Sequence, residues 1–212
     1  MKHLRLFKEF NSYKENYFLV IDNSKPPKHK YLNNVLKYLD TTDVSYKIVE
    51  TPDELKEAID KYNIIGAIST GSDFRVNDIE TNELNFSALQ SLDCPIYGIC
   101  YGFQVMASAL GGTVTKTGKS EFGRTKLIGK ESKLLSNLPL EQLVWMSHGD
   151  AVTQAPNGFA LCAATTDTPV AAFENESGQL AGVQFHPEVL HSEHGQAILH
   201  NWLVNVAKCA TD

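Results

Sequence analysis

Residues 95–99 form a short apolar run, residues 101–110 carry a helical pattern, and Gly98-Ile99-Cys100-Tyr101-Gly102 joins them. This junction leaves few folds open. A glycine on each side of a central cysteine, between a buried strand and a helix, is the spacing of a nucleophile elbow. The turn is so tight that its flanking positions must be small, and the central side chain projects from it. The helix that follows aims its positive end at Cys100, an arrangement that favours thiolate. The competing reading is a buried cysteine in an ordinary turn. The strand, both glycines and the helix together argue against it.

The rest of the chain fits a sheet that such an elbow would belong to. Residues 17–22, 45–49 and 64–69 read as buried strands. Between them, Tyr31, Val35, Leu36 and Leu39 recur at helical spacing, as do Leu55, Ala58, Ile59 and Tyr62. Thr51-Pro52-Asp53-Glu54 starts the second helix: Thr51 caps it, Pro52 suits the first turn, and Glu54 closes a capping box. Gly111-Gly112 stops the third helix. Alternating strands and helices imply a parallel sheet covered on both faces.

Beyond residue 112 the pattern changes to shorter strands at 113–117, 125–128, 143–146, 159–164 and 170–174. A hairpin turn at 175–178 leads to a strand at 180–185. A last helix over 193–208 places Ile198, Leu199, Trp202, Leu203 and Val206 on one face. The expected fold is a single α/β domain over residues 17–208. It has a mostly parallel central sheet, helices on both faces and a smaller antiparallel β portion. Residues 1–16 are read as an N-terminal extension.

Bulk properties exclude several classes. The 212 residues suit one domain with a sizeable core. With 19 Lys and Arg against 25 Asp and Glu, the net charge of −6 argues against a nucleic-acid binder. No apolar run approaches the roughly 18 residues of a membrane span. Residues 1–17 carry Lys2, Arg5, Lys8 and Lys14 but no apolar h-region, so a secretory signal is not expected. Cys94, Cys100, Cys162 and Cys209 form no CxxC, which suits free thiols in a reducing cytoplasm.

A cysteine nucleophile needs a base. Of the seven histidines, His186 ends an apolar strand and is followed by Pro187 and Glu188. A proline there stops strand pairing. A carboxylate two residues on can turn back, select the imidazole tautomer and stabilise the imidazolium. His191, Glu193 and His194 lie close together, but no further ligand supports them, and no metal or cofactor is expected.

Gly98-Ile99-Cys100-Tyr101-Gly102-Phe103-Gln104 and Gly182-Val183-Gln184-Phe185-His186-Pro187-Glu188 resemble the two signature blocks of class I, triad-type glutamine amidotransferases. Glu121-Phe122-Gly123, residues 144–150 and residues 186–195 resemble, more narrowly, the glutaminase domain of GMP synthetases. The likeness covers about residues 17–206. It implies hydrolysis of L-glutamine through a γ-glutamyl thioester on Cys100, with His186 and Glu188 as base and orienting carboxylate. It implies an oxyanion hole from the amides of Tyr101 and Gly71. Gln104, Ser147, His148, Gly149 and Asp150 would hold the α-ends of glutamine, with His148 not acting as a base. Where the family usually has Gly-Gly-Pro, this chain has Thr70-Gly71-Ser72, and a turn of unusual backbone angle would tolerate Thr70 poorly.

No Ser-Gly-Gly-x-Asp-Ser or GxxxxGK[ST] phosphate loop occurs. The expected partner is therefore a separate ATP-pyrophosphatase or synthetase subunit that accepts the ammonia, with XMP as the final acceptor. The alternatives are a stand-alone γ-glutamyl hydrolase or peptidase, transfer to another acceptor such as chorismate, and a non-catalytic regulatory subunit.

Overall fold

Alternation along the first strand divides the core in two. In the computed structural model, which describes residues 14–24, 31–76, 89, 92 and 94–205, β1 spans Asn16–Ile21. Its Phe18 and Val20 point to one face of the sheet and its Leu19 and Ile21 to the other, as a two-residue period requires. On the first face lie α1 (Leu32–Leu39) and, through Ile198, Leu199, Trp202 and Leu203, α4 (Gly195–Asn205). On the second lie α2 (Pro52–Lys61) and α3 (Tyr101–Ala109). Helices thus cover both faces, as expected. Residues 1–13 of the expected extension, residues 25–30, Val206 with the end of the last helix, and Cys209 lie outside the described residues.

Among the described residues the sheet has nine strands in the order β2-β1-β3-β4-β9-β8-β7-β5-β6. The first five, with β2 at Tyr46–Val49, β3 at Asn63–Ser69, β4 at Ile96–Ile99 and β9 at Leu180–Val183, are parallel. The other four are β5 (Thr113–Gly129), β6 (Glu141–Gln154), β7 (Phe159–Ala164) and β8 (Ala172–Asn175), and they pair antiparallel. The antiparallel portion continues the same sheet through the β8–β9 hairpin. There Gly178 takes φ +81° and its N–H donates to the Asn175 carbonyl at 2.9 Å.

Two local expectations change. The strands expected at 113–117 and 125–128 are one long strand, and the strand expected at 143–146 extends to fourteen residues. The two strands pair on both sides of a register shift between Lys116 and Glu121, and Gly118-Lys119-Ser120 fall within that shift. At the start of α2, Thr51 Oγ1 accepts from the Glu54 N–H at 3.3 Å as expected. The Glu54 carboxylate, however, reaches the N–H of Glu50 at 2.7 Å, one residue before the cap.

Trp202 ties α4 to the sheet. It is wholly buried, with its ring 6.1 Å from Phe18 edge-on and 5.2 Å from Tyr97. Among the described residues no helix is long and apolar enough to cross a membrane. Trp202→Ala is expected to destabilise the fold by about 3–5 kcal/mol, from lost burial plus a cavity; urea unfolding of the two proteins measures this.

Candidate active site

Three parallel neighbours end at one level. Ser69 of β3 pairs with Gly98 of β4, and Ile99 of β4 pairs with Val183 of β9. The segments that follow these strands therefore meet at the carboxyl edge of the sheet, where open α/β sheets gather ligands. They are the turn at residues 70–72, the elbow at Cys100, and residues 184–188.

The elbow is as tight as its glycines suggest. A Cβ on Gly98 would stand 2.6 Å from the Phe103 nitrogen, and one on Gly102 would stand 2.3 Å from the Ser69 carbonyl oxygen. Both neighbours are backbone atoms and cannot give way cheaply. Cys100 itself takes φ 50° and ψ −101°, a conformation that costs a non-glycine residue about 1–3 kcal/mol. It is anchored by its N–H on the Val183 carbonyl at 2.8 Å and caps the N-terminus of α3.

His186 is held by everything around it. The chain leaves β9 at Val183 and crosses to β6, where the His186 N–H donates to the Trp145 carbonyl at 3.0 Å. Ser192 bridges the same two residues, donating to the His186 carbonyl at 2.6 Å and accepting from the Trp145 N–H at 2.9 Å. Glu193 accepts from the Leu143 N–H at 2.7 Å and pairs with Arg124 at 2.9 Å, so it pins this loop to the hairpin. His191 lies against the Trp145 ring at 4.7 Å.

The His186 Nδ1 lies 2.7 Å from Glu188 Oε1, with both side chains buried. Nε2 is buried and has no partner of good hydrogen-bond geometry, while the Cys100 thiol lies close enough to act on the imidazole through charge and side-chain contact. Burial opposes charge on the imidazole, but Glu188 and then Cys100 outweigh it and raise the His186 pKa above its ordinary value. The three residues picked out in the sequence are thus brought together, with the charged form of His186 favoured.

The turn at residues 70–72 corrects one expectation. Neither Thr70, Gly71 nor Ser72 has a positive φ, so Thr70 meets no backbone penalty. Thr70 and Ser72 are instead built into a clamp around Asn23. Thr70 Oγ1 accepts from the Asn23 N–H at 3.0 Å, and Asn23 Nδ2 donates to Ser69 Oγ at 2.9 Å and to the Thr70 carbonyl at 2.8 Å. Ser72 Oγ donates to the Asn23 carbonyl at 2.6 Å. Gly71 is required for room: a Cβ there would stand 2.9 Å from His186 Cε1 and 3.2 Å from the Tyr31 ring.

In front of Cys100 opens a cavity of about 320 Å³. Tyr101, Gln104, Ser147, His148, Gly149 and Asp150, all singled out in the sequence, line it; Gly71 does not line it and lies against His186. Asp150 carries a buried Oδ1 without a hydrogen-bond partner. His148 Nδ1 faces the Asp150 carbonyl at 2.9 Å, and its Nε2 lies 3.3 Å from Glu121, its cross-strand neighbour in the β5–β6 ladder. Burial pushes the Glu121 carboxyl up, but bonds from His148, Thr168 and Thr165 prevail and hold its pKa below the ordinary value.

Sequence reading missed several residues here. Tyr31, read only as part of a helix, stacks on the His186 ring at 5.3 Å and 19° and donates to Asp73 at 2.7 Å. Arg75 and Phe122, the latter 71% exposed, line the cavity. Gln184 lies beneath Cys100 and is fully buried. Only Phe122 and Gln184 carried any signal, as members of the blocks that resemble the family.

The family model for "Glutamine amidotransferase class-I" matches residues 19–206. Among curated proteins, a GMP synthase [glutamine-hydrolyzing] of Thermobifida fusca is 58% identical over 116 residues, which is 54% of this chain and 22% of that protein. The corresponding protein of Corynebacterium efficiens is 46% identical over 157 residues, 74% of this chain and 29% of its own length. The chain therefore matches less than a third of the length of these relatives. Among solved structures, a Thermoplasma acidophilum protein, provisionally assigned as one subunit of a GMP synthase, superposes with a TM-score of 0.75 at 25% identity, covering 92% of this chain and 94% of that one. A glutamine amidotransferase from Thermotoga maritima superposes at 0.70 and 16% identity, covering 91% and 99%, and bears on the fold alone.

Because Glu188 is the largest influence raising the His186 pKa, Glu188→Gln is expected to move the His186 titration to lower pH, with burial now less opposed. In that variant the imidazolium is lost earlier as pH rises. NMR titration of the imidazole resonances of both proteins checks the direction, and an unmoved or upward titration contradicts it.

Proposed function

Since this chain belongs to the glutamine amidotransferase class-I family, we propose that it hydrolyses L-glutamine to glutamate and ammonia through a thioester on Cys100. The Cys100 thiolate attacks the side-chain amide carbon. The carbonyl oxygen becomes an oxyanion, received by the amides of Tyr101 and Gly71. His186 gives a proton to the leaving nitrogen and ammonia departs. His186 then takes a proton from water as it attacks the thioester, and glutamate and thiolate are released. Glu188 holds the imidazole orientation throughout.

The observation that carries this reading is the His186–Glu188 pair at 2.7 Å, with an unpartnered buried Nε2 left for the Cys100 side. The cavity supports glutamine as substrate. The unpartnered Asp150 Oδ1 suits an α-ammonium group, and Gln104, Ser147, His148 and Gly149 stand around the remaining α-substituents.

The likeness to glutamine-hydrolysing GMP synthases supports a place in GMP synthesis. Ammonia then passes to a separate ATP-dependent synthetase that aminates XMP, and residues 17–208 constitute the glutaminase domain, preceded by the extension at 1–16. Leu190, 95% exposed just after the Glu188 segment, and Phe122 at the cavity mouth offer apolar contacts beside the site for that partner. Cys100 and Cys162 are free thiols, which suits work in the cytoplasm.

A glutamine-like diazoketone is expected to label Cys100 and to leave Cys100→Ala unlabelled, as read by peptide mass mapping. Cys100→Ala is expected to lose glutamine hydrolysis by at least about a thousandfold while still binding glutamine, and His186→Ala to lose more than Glu188→Ala. Hydrolysis near the wild-type rate in Cys100→Ala refutes the mechanism. Amide-¹⁵N glutamine is expected to deliver its label to GMP when XMP, ATP and the synthetase are added. Partner-independent cleavage of γ-glutamyl dipeptides, with no label in GMP, assigns the chain to stand-alone hydrolysis.

A further inference from the structure

Behind Cys100 runs a chain of hydrogen bonds whose direction is dictated from one end. A backbone carbonyl can only accept. The end of Gln104 that faces the Asp150 carbonyl at 2.7 Å is therefore its NH₂ group. The same nitrogen lies 3.1 Å from Gln184, where only the amide oxygen can receive its second hydrogen. That leaves the NH₂ group of Gln184 facing the Cys100 sulfur at 3.6 Å. Gln184 is fully buried, so water does not compete for this contact.

The starting carbonyl is itself held. It also faces His148 Nδ1 at 2.9 Å, and His148 is braced on its other side by Glu121. The path thus reaches from the β5–β6 ladder to the sulfur, and each link leaves the next amide one orientation.

We propose that Gln184 is a further catalytic residue, whose Nε2–H donates to the Cys100 sulfur and favours thiolate over thiol. The inference rests on the reading of Cys100 as nucleophile and deepens it. A thiolate accepts a hydrogen bond more strongly than a thiol, so a fixed donor stabilises the attacking form. It does so again when the thiolate is expelled from the thioester. The opposing contact is the Ser147 carbonyl, which accepts from the S–H and so favours the thiol, but it is 4.0 Å away. The shorter contact comes from a donor whose other end is locked. Gln184 does not line the cavity, so its influence falls on the sulfur and not on substrate binding.

The test is Gln184→Met, which keeps the bulk and removes the donor. Iodoacetamide alkylation of Cys100 at neutral pH, followed by peptide mass spectrometry, is expected to slow about threefold to tenfold, the weight of one hydrogen bond. The kcat for glutamine is expected to fall in step, with KM within about twofold. Alkylation and kcat at wild-type values overturn the proposal, as does a loss confined to KM. Should Gln184→Met fail to fold by near-ultraviolet circular dichroism, Gln104→Met serves instead. It frees the Gln184 amide to turn, and Cys100 alkylation is expected to slow there too; an unchanged rate overturns the proposal. Diazoketone labelling of the wild type separates the two readings. No label on Cys100 overturns both, whereas a labelled Cys100 with wild-type alkylation in the variant overturns this one alone.

Discussion

Everything near Cys100 depends on the register of three parallel strands. β3, β4 and β9 are hydrogen-bonded neighbours whose last residues lie side by side, Ser69 against Gly98 and Ile99 against Val183. A slip of one residue in either pairing would exchange each strand's side chains between the two helix-covered faces and misfit both cores. It would also separate the elbow from the turn at residues 70–72 and from His186. The register is enforced by contacts with no slack. Gly102 lies against the Ser69 carbonyl, and the Cys100 N–H reaches the Val183 carbonyl. The Gly102 N–H donates to the Thr70 carbonyl at 3.2 Å, which ties the elbow to the neighbouring turn.

On that frame the structure concentrates buried polar groups. His186, Glu188, Gln184, Gln104, His148 and Glu121 are all nearly inaccessible to solvent. Their cost is met by pairing, since buried polar atoms are tolerated when each finds a partner. The exceptions are informative. His186 Nε2, Glu188 Oε2 and Asp150 Oδ1 are buried without partners, the first on the edge of the imidazole away from Glu188 and the last on a residue that lines the cavity. Tyr31 adds a face contact to His186, and its bond to Asp73 links the imidazole to the chain just beyond the Gly71 turn.

Features that live within a few adjacent residues were legible. The two glycines around Cys100, the His186-Pro187-Glu188 segment and the hairpin at residues 175–178 each declare a local geometry, and each is found. The buried strands and the helical faces followed from periodicity, with ends shifted by a residue or two. The full length of β5 and β6 was not legible, because a register shift between Lys116 and Glu121 interrupts the ladder that joins their two halves. Thr70 misleads for the opposite reason. Taken alone it is a poor residue for a strained turn, whereas its hydroxyl and carbonyl bond to Asn23, some 47 positions away.

By itself the sequence determined the elbow, the histidine–carboxylate segment and the alternation of strands and helices. These follow from sterics and spacing along a few neighbouring residues. Only the tertiary structure decided which side chains share the space behind and beside Cys100. Tyr31, Gln184 and the Glu121–His148 pair come from distant points in the chain and meet through strand order and register. Their roles depend on orientation and burial, which a linear pattern does not encode. The direction of the amides at Gln104 and Gln184 is fixed by a carbonyl that must accept, and that constraint exists only once the strands have paired.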